Sequence, residues 1–410
     1  MPRSSSPRPL LAALALLAGP GDFDERAGAL EQLAHTAPRA PEAAEALAEA
    51  SLLQLGLGHL DRAAADADAL AHDHRARHPE LVRRVALARA RRHAGLGEWD
   101  ALRAVLVASR PAFAPGADVD DRLEAHALLG RALAHLGRPG EAALEARRVL
   151  ALETRPNIGE RGVDALGEAW FFFAEQAGER AAQIVLPKYT GPDTREAVLA
   201  HVAGPVQRWM VRKRYAVEVA EAAYARVLGI DMPPPALPLP PPPVAATGMV
   251  GLLNAGAGGD PNAPTAPWGR EETGTTRRVP HLVSPRWSIA ALARVAMAWG
   301  ELARQLREIP VPKAAHGPVP GAGGLTYEDL RADYGGCGLD PPDRALGQRA
   351  REACARALDL GLTHRISDEH TRTCEGWLSR HYPADVRLLE ELRPRIAAPR
   401  AAGDFAPPHE

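Results

Sequence analysis

Residues 121–153 read DRLEAHALLGRALAHLGRPGEAALEARRVLALE, and the order of residue types in this stretch decides the fold. Leu123, Leu129 and Leu133 recur close to helical spacing and give residues 121–136 an apolar stripe. Gly137-Arg138-Pro139-Gly140 then breaks the helix. Glycine takes the left-handed cap conformation without a Cβ penalty, so the chain can stop sharply. A second helix over 141–153 folds back antiparallel across the short turn. Gly130 and Ala142 are small where the two helices would touch.

The same plan occurs twice upstream. Residues 41–57 and 62–74 read as helices around the turn Gly58-His59-Leu60-Asp61. Residues 79–96 and 101–109 do so around Gly97-Glu98-Trp99-Asp100. The turn glycines at 58, 97 and 137 lie 39 and 40 residues apart. Ala63, Ala67, Ala86 and Ala90 supply the small contact positions. One hairpin cannot bury its apolar faces, whereas stacked hairpins can, leaving a solenoid with a groove.

The third unit resembles the tetratricopeptide repeat. Leu129-Gly130 falls where that family has Leu-Gly, and Leu133 takes the place of its usual Tyr. Gly137 and Ala142 match the turn glycine and second-helix alanine, and Pro156 lies near the usual closing proline. The spacing here exceeds the family's own period, with the extra residues in inter-repeat loops such as 110–119. A HEAT-like helix pair is the alternative. The resemblance implies a protein partner held in the groove. First-helix residues Gln54, Arg89, His93 and His126 are expected to face it.

Composition agrees with an all-α chain. Its 410 residues suit two or three compact units. Ala and Leu dominate, and β-branched runs are almost absent. Lys+Arg 49 against Asp+Glu 51 leaves a net charge of -2, with no general attraction to nucleic acid or an anionic membrane.

The expected organisation follows from breaks in the pattern. Residues 1–21 read as an export signal or a disordered tail. Arg3 and Arg8 precede the apolar run 10–18, which is too short to span a bilayer, and Pro20 stands where a lipoprotein signal would need cysteine. Repeats occupy 22–186. They end in a helix over 161–176 carrying Trp170-Phe171-Phe172-Phe173, four consecutive side chains that cannot share one face, so this helix either packs on several sides or exposes an aromatic patch to a partner. Residues 187–230 hold a long helix from 194 to 228, with Arg208, Arg212, Lys213 and Arg214 beside Trp209 read as a solvated basic face. Residues 231–285 are a Pro/Gly-rich linker, with eight prolines between 233 and 243. Residues 286–395 form a helical C-terminal domain with helices at 287–307, 327–334, 343–360, 368–380 and 385–392. A disordered tail, 396–410, follows.

Chemistry finds little frame. Gly256-Ala257-Gly258-Gly259 has no preceding strand and no following Lys-Ser/Thr, so it is no phosphate loop. His72 and His74 do not share a helical face, and His370 with Cys374, four residues apart with His364 or His381 nearby, is more often a surface or packing pair than a metal site. No nucleophile elbow occurs, and the carboxylates read as i, i+4 partners of arginines along helix faces. The expectation is a non-catalytic protein with no cofactor and no metal. Its rival is an enzyme whose site is assembled between the two halves.

Of the three cysteines, Cys337 lies between two glycines. Cys354 and Cys374 lie on the last two major helices, which as an antiparallel pair bring them to bridging distance. They would form a disulfide in an exported chain and remain buried thiols in the cytosol.

The second half is similar to a set of large tetratricopeptide proteins of myxobacteria, some associated with envelope-spanning gliding-motility machinery. The matching pieces include Ala169-Trp170-Phe171-Phe172-Phe173-Ala174-Glu175, Pro285-Arg286-Trp287 through Trp299-Gly300, and Ser367-Asp368-Glu369-His370 through Cys374-Glu375-Gly376-Trp377-Leu378. Cys354 and Cys374 fall where that set carries two cysteines. The resemblance implies a protein-binding scaffold of the periplasm or cell envelope, touching the membrane only through partners. A cytosolic adaptor of the same fold is the alternative.

Overall fold

The computed structural model describes residues 23–40, 42–232, 277–278, 283–309 and 342–383. The expected signal or tail at 1–21, Cys337, the helices at 327–334 and 385–392, the tail 396–410 and most of the Pro/Gly segment lie outside these. The described residues are all-α except for one antiparallel pairing of two residues each. There Ile230–Asp231 (β1) meets Arg277–Arg278 (β2), with Ile230 opposite Arg278. The chain divides into two compact units, Met1–Phe172 and Phe173–Glu410.

The first unit contains α1 (Phe23–Thr36), α2 (Ala43–Leu57), α3 (Leu60–Asp73), α4 (Pro79–Leu96), α5 (Trp99–Ala108), α6 (Val119–His135) and α7 (Pro139–Leu150). The helix α8 (Glu160–Ala182) begins in it. Gly58, Gly97 and Gly137 have φ of 85°, 74° and 70°, as the left-handed cap requires. The same bond closes each turn. The residue after the glycine donates its N–H to the carbonyl four residues before the glycine: His59 to Gln54, Glu98 to His93 and Arg138 to Leu133, each at 2.9 Å. This is the Schellman arrangement, which satisfies carbonyls that a helix end leaves unpaired. Links this short reverse the chain, so the next helix runs back along its predecessor.

Packing then proceeds in chain order. The helix α2 lies against α1 and α3, α4 against α2, α3 and α5, and α6 against α4, α5 and α7. The helix α4 serves two neighbours. Val82 and Val85 join residues of α1, α2 and α3 in one apolar cluster, while Leu87 and Ala90 join residues of α5, α6 and α7 in the next. Leu70, Leu87, Leu102 and Leu123 are fully buried, each contributing roughly 2 kcal/mol. The small positions at 63, 67, 86, 90 and 142 are buried as well. At Gly130 an added Cβ would lie 3.5 Å from the Cβ of Glu145, so α6 and α7 leave room for one methyl there.

The second unit contains α9 (Arg195–His201), α10 (Gln207–Val227), α11 (Pro285–Arg307), α12 (Pro342–His364) and α13 (Glu369–His381). The expected continuous helix from 194 to 228 is interrupted. Val202–Val206 forms a π turn around Pro205, whose missing N–H and ring the regular ladder cannot accommodate. The helix α11 is the hub, packed on α10, α12 and α13, with Ile289, Leu292, Trp299 and Leu302 at its buried face. Asp368 and Thr371 form a reciprocal capping box that starts α13. The basic face expected on α10 is only partly solvated. Arg208 and Arg212 are exposed, but Lys213 is 2% exposed and donates to the carbonyl of Ala181 at 2.7 Å. The aromatic run on α8 packs on several sides: Phe171 is buried, and Trp170, Phe172 and Phe173 are half-buried.

Candidate protein-binding face

The first helices of the hairpins, α2, α4 and α6, and then α8, are joined by ion pairs that step from one to the next. Glu49 of α2 meets Arg84 of α4 at 3.1 Å. Arg83 of α4 donates Nε to Asp121 of α6 at 3.1 Å, and Arg91 donates Nη2 to Glu124 at 2.6 Å. Arg161 of α8 reaches back to both of these acids, at 3.1 Å to each. Arg131 of α6 donates Nε to Glu168 of α8 at 2.6 Å. The acids sit deeper than most of their partners. Side chains of Asp121, Glu124 and Glu168 are 14–16% exposed, against 48% for Arg91 and 49% for Arg161. The guanidinium groups of Arg84, Arg91 and Arg161 therefore reach solvent, whereas Arg83 and Arg131 are more covered. Partly exposed pairs of this kind contribute about 1 kcal/mol or less each, and they orient side chains more than they stabilise the fold.

Gln54, Arg89, His93 and His126 do not form one groove surface. Gln54 is fully buried, which corrects its expected position. Its Nε2 donates to Glu31 Oε1 at 2.7 Å, and its Oε1 lies 2.9 Å from His59 Nδ1. The reason is α1, a helix absent from the sequence reading, which covers that side of α2 and brings Glu31 with it. His93 is tied to Glu98 at 2.7 Å within its own hairpin, and His126 to Glu145 at 2.7 Å within the next. Arg89 is mostly buried, 3.6 Å from Asp68 of α3, and burial depresses its pKa despite that carboxylate.

Gln54–His59 and His93–Glu98 are equivalent staples on successive helical hairpins. Each joins the last turn of a first helix to the residue that precedes the second helix. Around Gln54, Arg62 reaches Glu31 at 3.1 Å and Asp24 at 3.0 Å. Asp66 on the same helix is 6% exposed, and burial, reinforced by the Glu31 charge, pushes its carboxyl up to about 6.

The repeat-spanning acids and arginines were missed by a reading that sought partners four residues apart within a helix. Their signal is opposite charge about one repeat apart on successive first helices: Arg83 with Asp121, Arg91 with Glu124, Arg131 with Glu168. The histidines at 72 and 74 do lie on different sides, with His72 exposed and His74 buried. Among the described residues no group of three or more His, Cys, Asp or Glu side chains is arranged to hold a metal ion. No described helix is long and apolar enough to cross a membrane. Compared with protein-family models, with curated proteins and with solved structures, the chain matches none.

Proposed function

We propose that residues 22–186 act as a tetratricopeptide-like array that holds another protein, and that the chain is a non-catalytic scaffold of the bacterial cell envelope. The observation that carries this reading is the threefold glycine cap at 58, 97 and 137, together with first helices that rest on one another in chain order. A stack built that way presents its first helices as one continuous face. The exposed guanidinium groups of Arg84 and Arg91 lie on α4 within that face. They favour a partner segment that offers carboxylates or backbone carbonyls.

The test uses the full-length chain with a C-terminal tag. A photo-crosslinking residue is placed at 84 or 91 on α4, or at 144 on α7, where the native Leu is exposed. One partner captured from 84 and 91 but not from 144 is the expected result. Equal capture at all three positions, or none at 84 and 91, overturns the array as the binding surface. Fractionation of the same cells reads the address, and a wholly cytosolic pool defeats the envelope assignment.

A further inference from the structure

Cys354 lies in α12 and Cys374 in the second turn of α13, and both side chains are fully buried. The two helices pack on each other, and no disulfide joins the two cysteines. Local geometry fixes that juxtaposition. The helix α12 ends with Ile366 N–H donating to Gly361 carbonyl at 2.8 Å, and Arg365 takes a left-handed φ of 55°. Asp368 then starts α13 through its capping box with Thr371. Thr371 packs tightly on Gly361, where an added Cβ would come within 2.9 Å of the threonine methyl. Both ends of the turn are therefore set, which fixes the register of α13 against α12 and with it the positions of the two buried cysteines.

We propose that Cys354 and Cys374 are a structural disulfide site, closed while the α12–α13 hairpin forms in an oxidising compartment and shielded from exchange once it has formed. In that reaction one protein thiolate attacks a small disulfide such as oxidised glutathione. A mixed disulfide forms and one glutathione thiolate leaves. The second protein thiolate attacks the mixed disulfide at the protein sulfur, forming the Cys354–Cys374 bond and expelling the second glutathione. Two protein sulfurs are oxidised, one glutathione disulfide is reduced, and the two thiol protons end on the glutathiones.

Burial sets the timing. A soluble oxidant needs access to a sulfur and a thiolate to react with it. Neither side chain is exposed, and the contact with Cys374 together with burial holds the Cys354 thiol far above its usual pKa. In the folded reduced protein, exchange must wait for α13 to open. The bond closes a loop of about 20 residues, long enough to restrict the unfolded chain appreciably. This inference does not depend on the protein-binding proposal, but its oxidising compartment rests on the envelope address proposed above.

Full-length protein is unfolded with denaturant and reductant, then refolded into a reduced/oxidised glutathione buffer. It is digested with trypsin without reduction. The expected product links residues 352–356 to residues 373–380, two hydrogens lighter than the separate peptides. Folded reduced protein placed in the same buffer should acquire that link more slowly than refolding protein by on the order of tenfold or more. The oxidised protein should melt at a higher temperature than the reduced one, and the difference should vanish with dithiothreitol. Pairing of either residue with Cys337, no link after oxidative refolding, or bridging of the folded protein as fast as of the refolding one overturns the proposal. Equal melting temperatures do so too.

Discussion

His126 Nδ1 lies 2.7 Å from Glu145 Oε2, a bond that joins α6 to α7 at a carboxylate only 6% exposed. Arg148 holds the other oxygen, and Arg110 approaches it at 3.5 Å. Burial alone would raise this carboxyl, but the His126 hydrogen bond and the two arginines outweigh it and hold it below the usual range. His126→Ala should cost about 1–2 kcal/mol, because it leaves a buried oxygen short of a donor. The sign of the acid effect follows from the depressed folded pKa. The stabilisation is complete above the unfolded value near 4.5 and is lost as pH falls through the folded value. Glu145→Gln should remove this part of the acid sensitivity. Urea midpoints measured from pH 3 to pH 7 check it, and a variant that tracks the native curve throughout counts against the bond.

Glu221 behaves in the opposite sense. It is 4% exposed on α10, with Arg349 of α12 at 3.7 Å and the Trp299 indole facing it from α11. The Arg349 guanidinium sits 4.7 Å over the Trp299 ring. Burial pushes the carboxyl up to about 7, against the pull of Arg349 and of the Trp299 indole. A raised acid binds its proton more tightly when folded. Stability therefore falls as pH rises from about 4.5 to about 7 and changes little beyond, by roughly 3 kcal/mol at most. Glu221→Gln keeps the shape and removes the titration. The difference in unfolding free energy between variant and native protein should shift in the variant's favour from pH 5 to pH 8. A constant difference across that range would sink the assignment.

How much of this was legible in the sequence depends on how local the cause is. The caps at Gly58, Gly97 and Gly137 could be read because only glycine takes that backbone easily, and the surrounding apolar spacing marks the helices on either side. The apolar face of α11 could be read for the same reason. Gln54 and Lys213 could not. A polar side chain is predicted outside unless a specific partner waits inside, and their partners, Glu31 and the Ala181 carbonyl, lie 23 and 32 residues away. The ladder through Arg91, Glu124 and Arg161 was hidden similarly, since its register depends on how far each hairpin slides along the last.

That ladder yields a coupling measurement. Glu124 receives Arg91 from α4 and Arg161 from α8. A double-mutant cycle of Arg91→Ala with Glu124→Ala should give a coupling of about 0.5–1 kcal/mol, small because the guanidinium is half exposed. The coupling should shrink in high salt, where exposed pairs are screened. Additive single effects in low salt would show that the two helices are not joined there.

Two glycines two residues apart should respond to alanine in opposite directions. Gly95 lies inside the last turn of α4, and a methyl there meets nothing within 4 Å. Gly95→Ala removes backbone freedom from the unfolded chain without straining the folded one, so it should stabilise by about 0.5–1 kcal/mol. Gly97 also has open space around it, but its φ is +74°. An L side chain pays roughly 1–2 kcal/mol there through Cβ and carbonyl crowding, and Gly97→Ala should destabilise by that amount. Space is equal at the two sites, so the contrast isolates backbone conformation. Thermal midpoints of the two variants, taken with the native chain in one buffer, decide the matter. If Gly97→Ala melts with the native protein, the turn between α4 and α5 is not left-handed, and the threefold cap on which the stack depends does not hold.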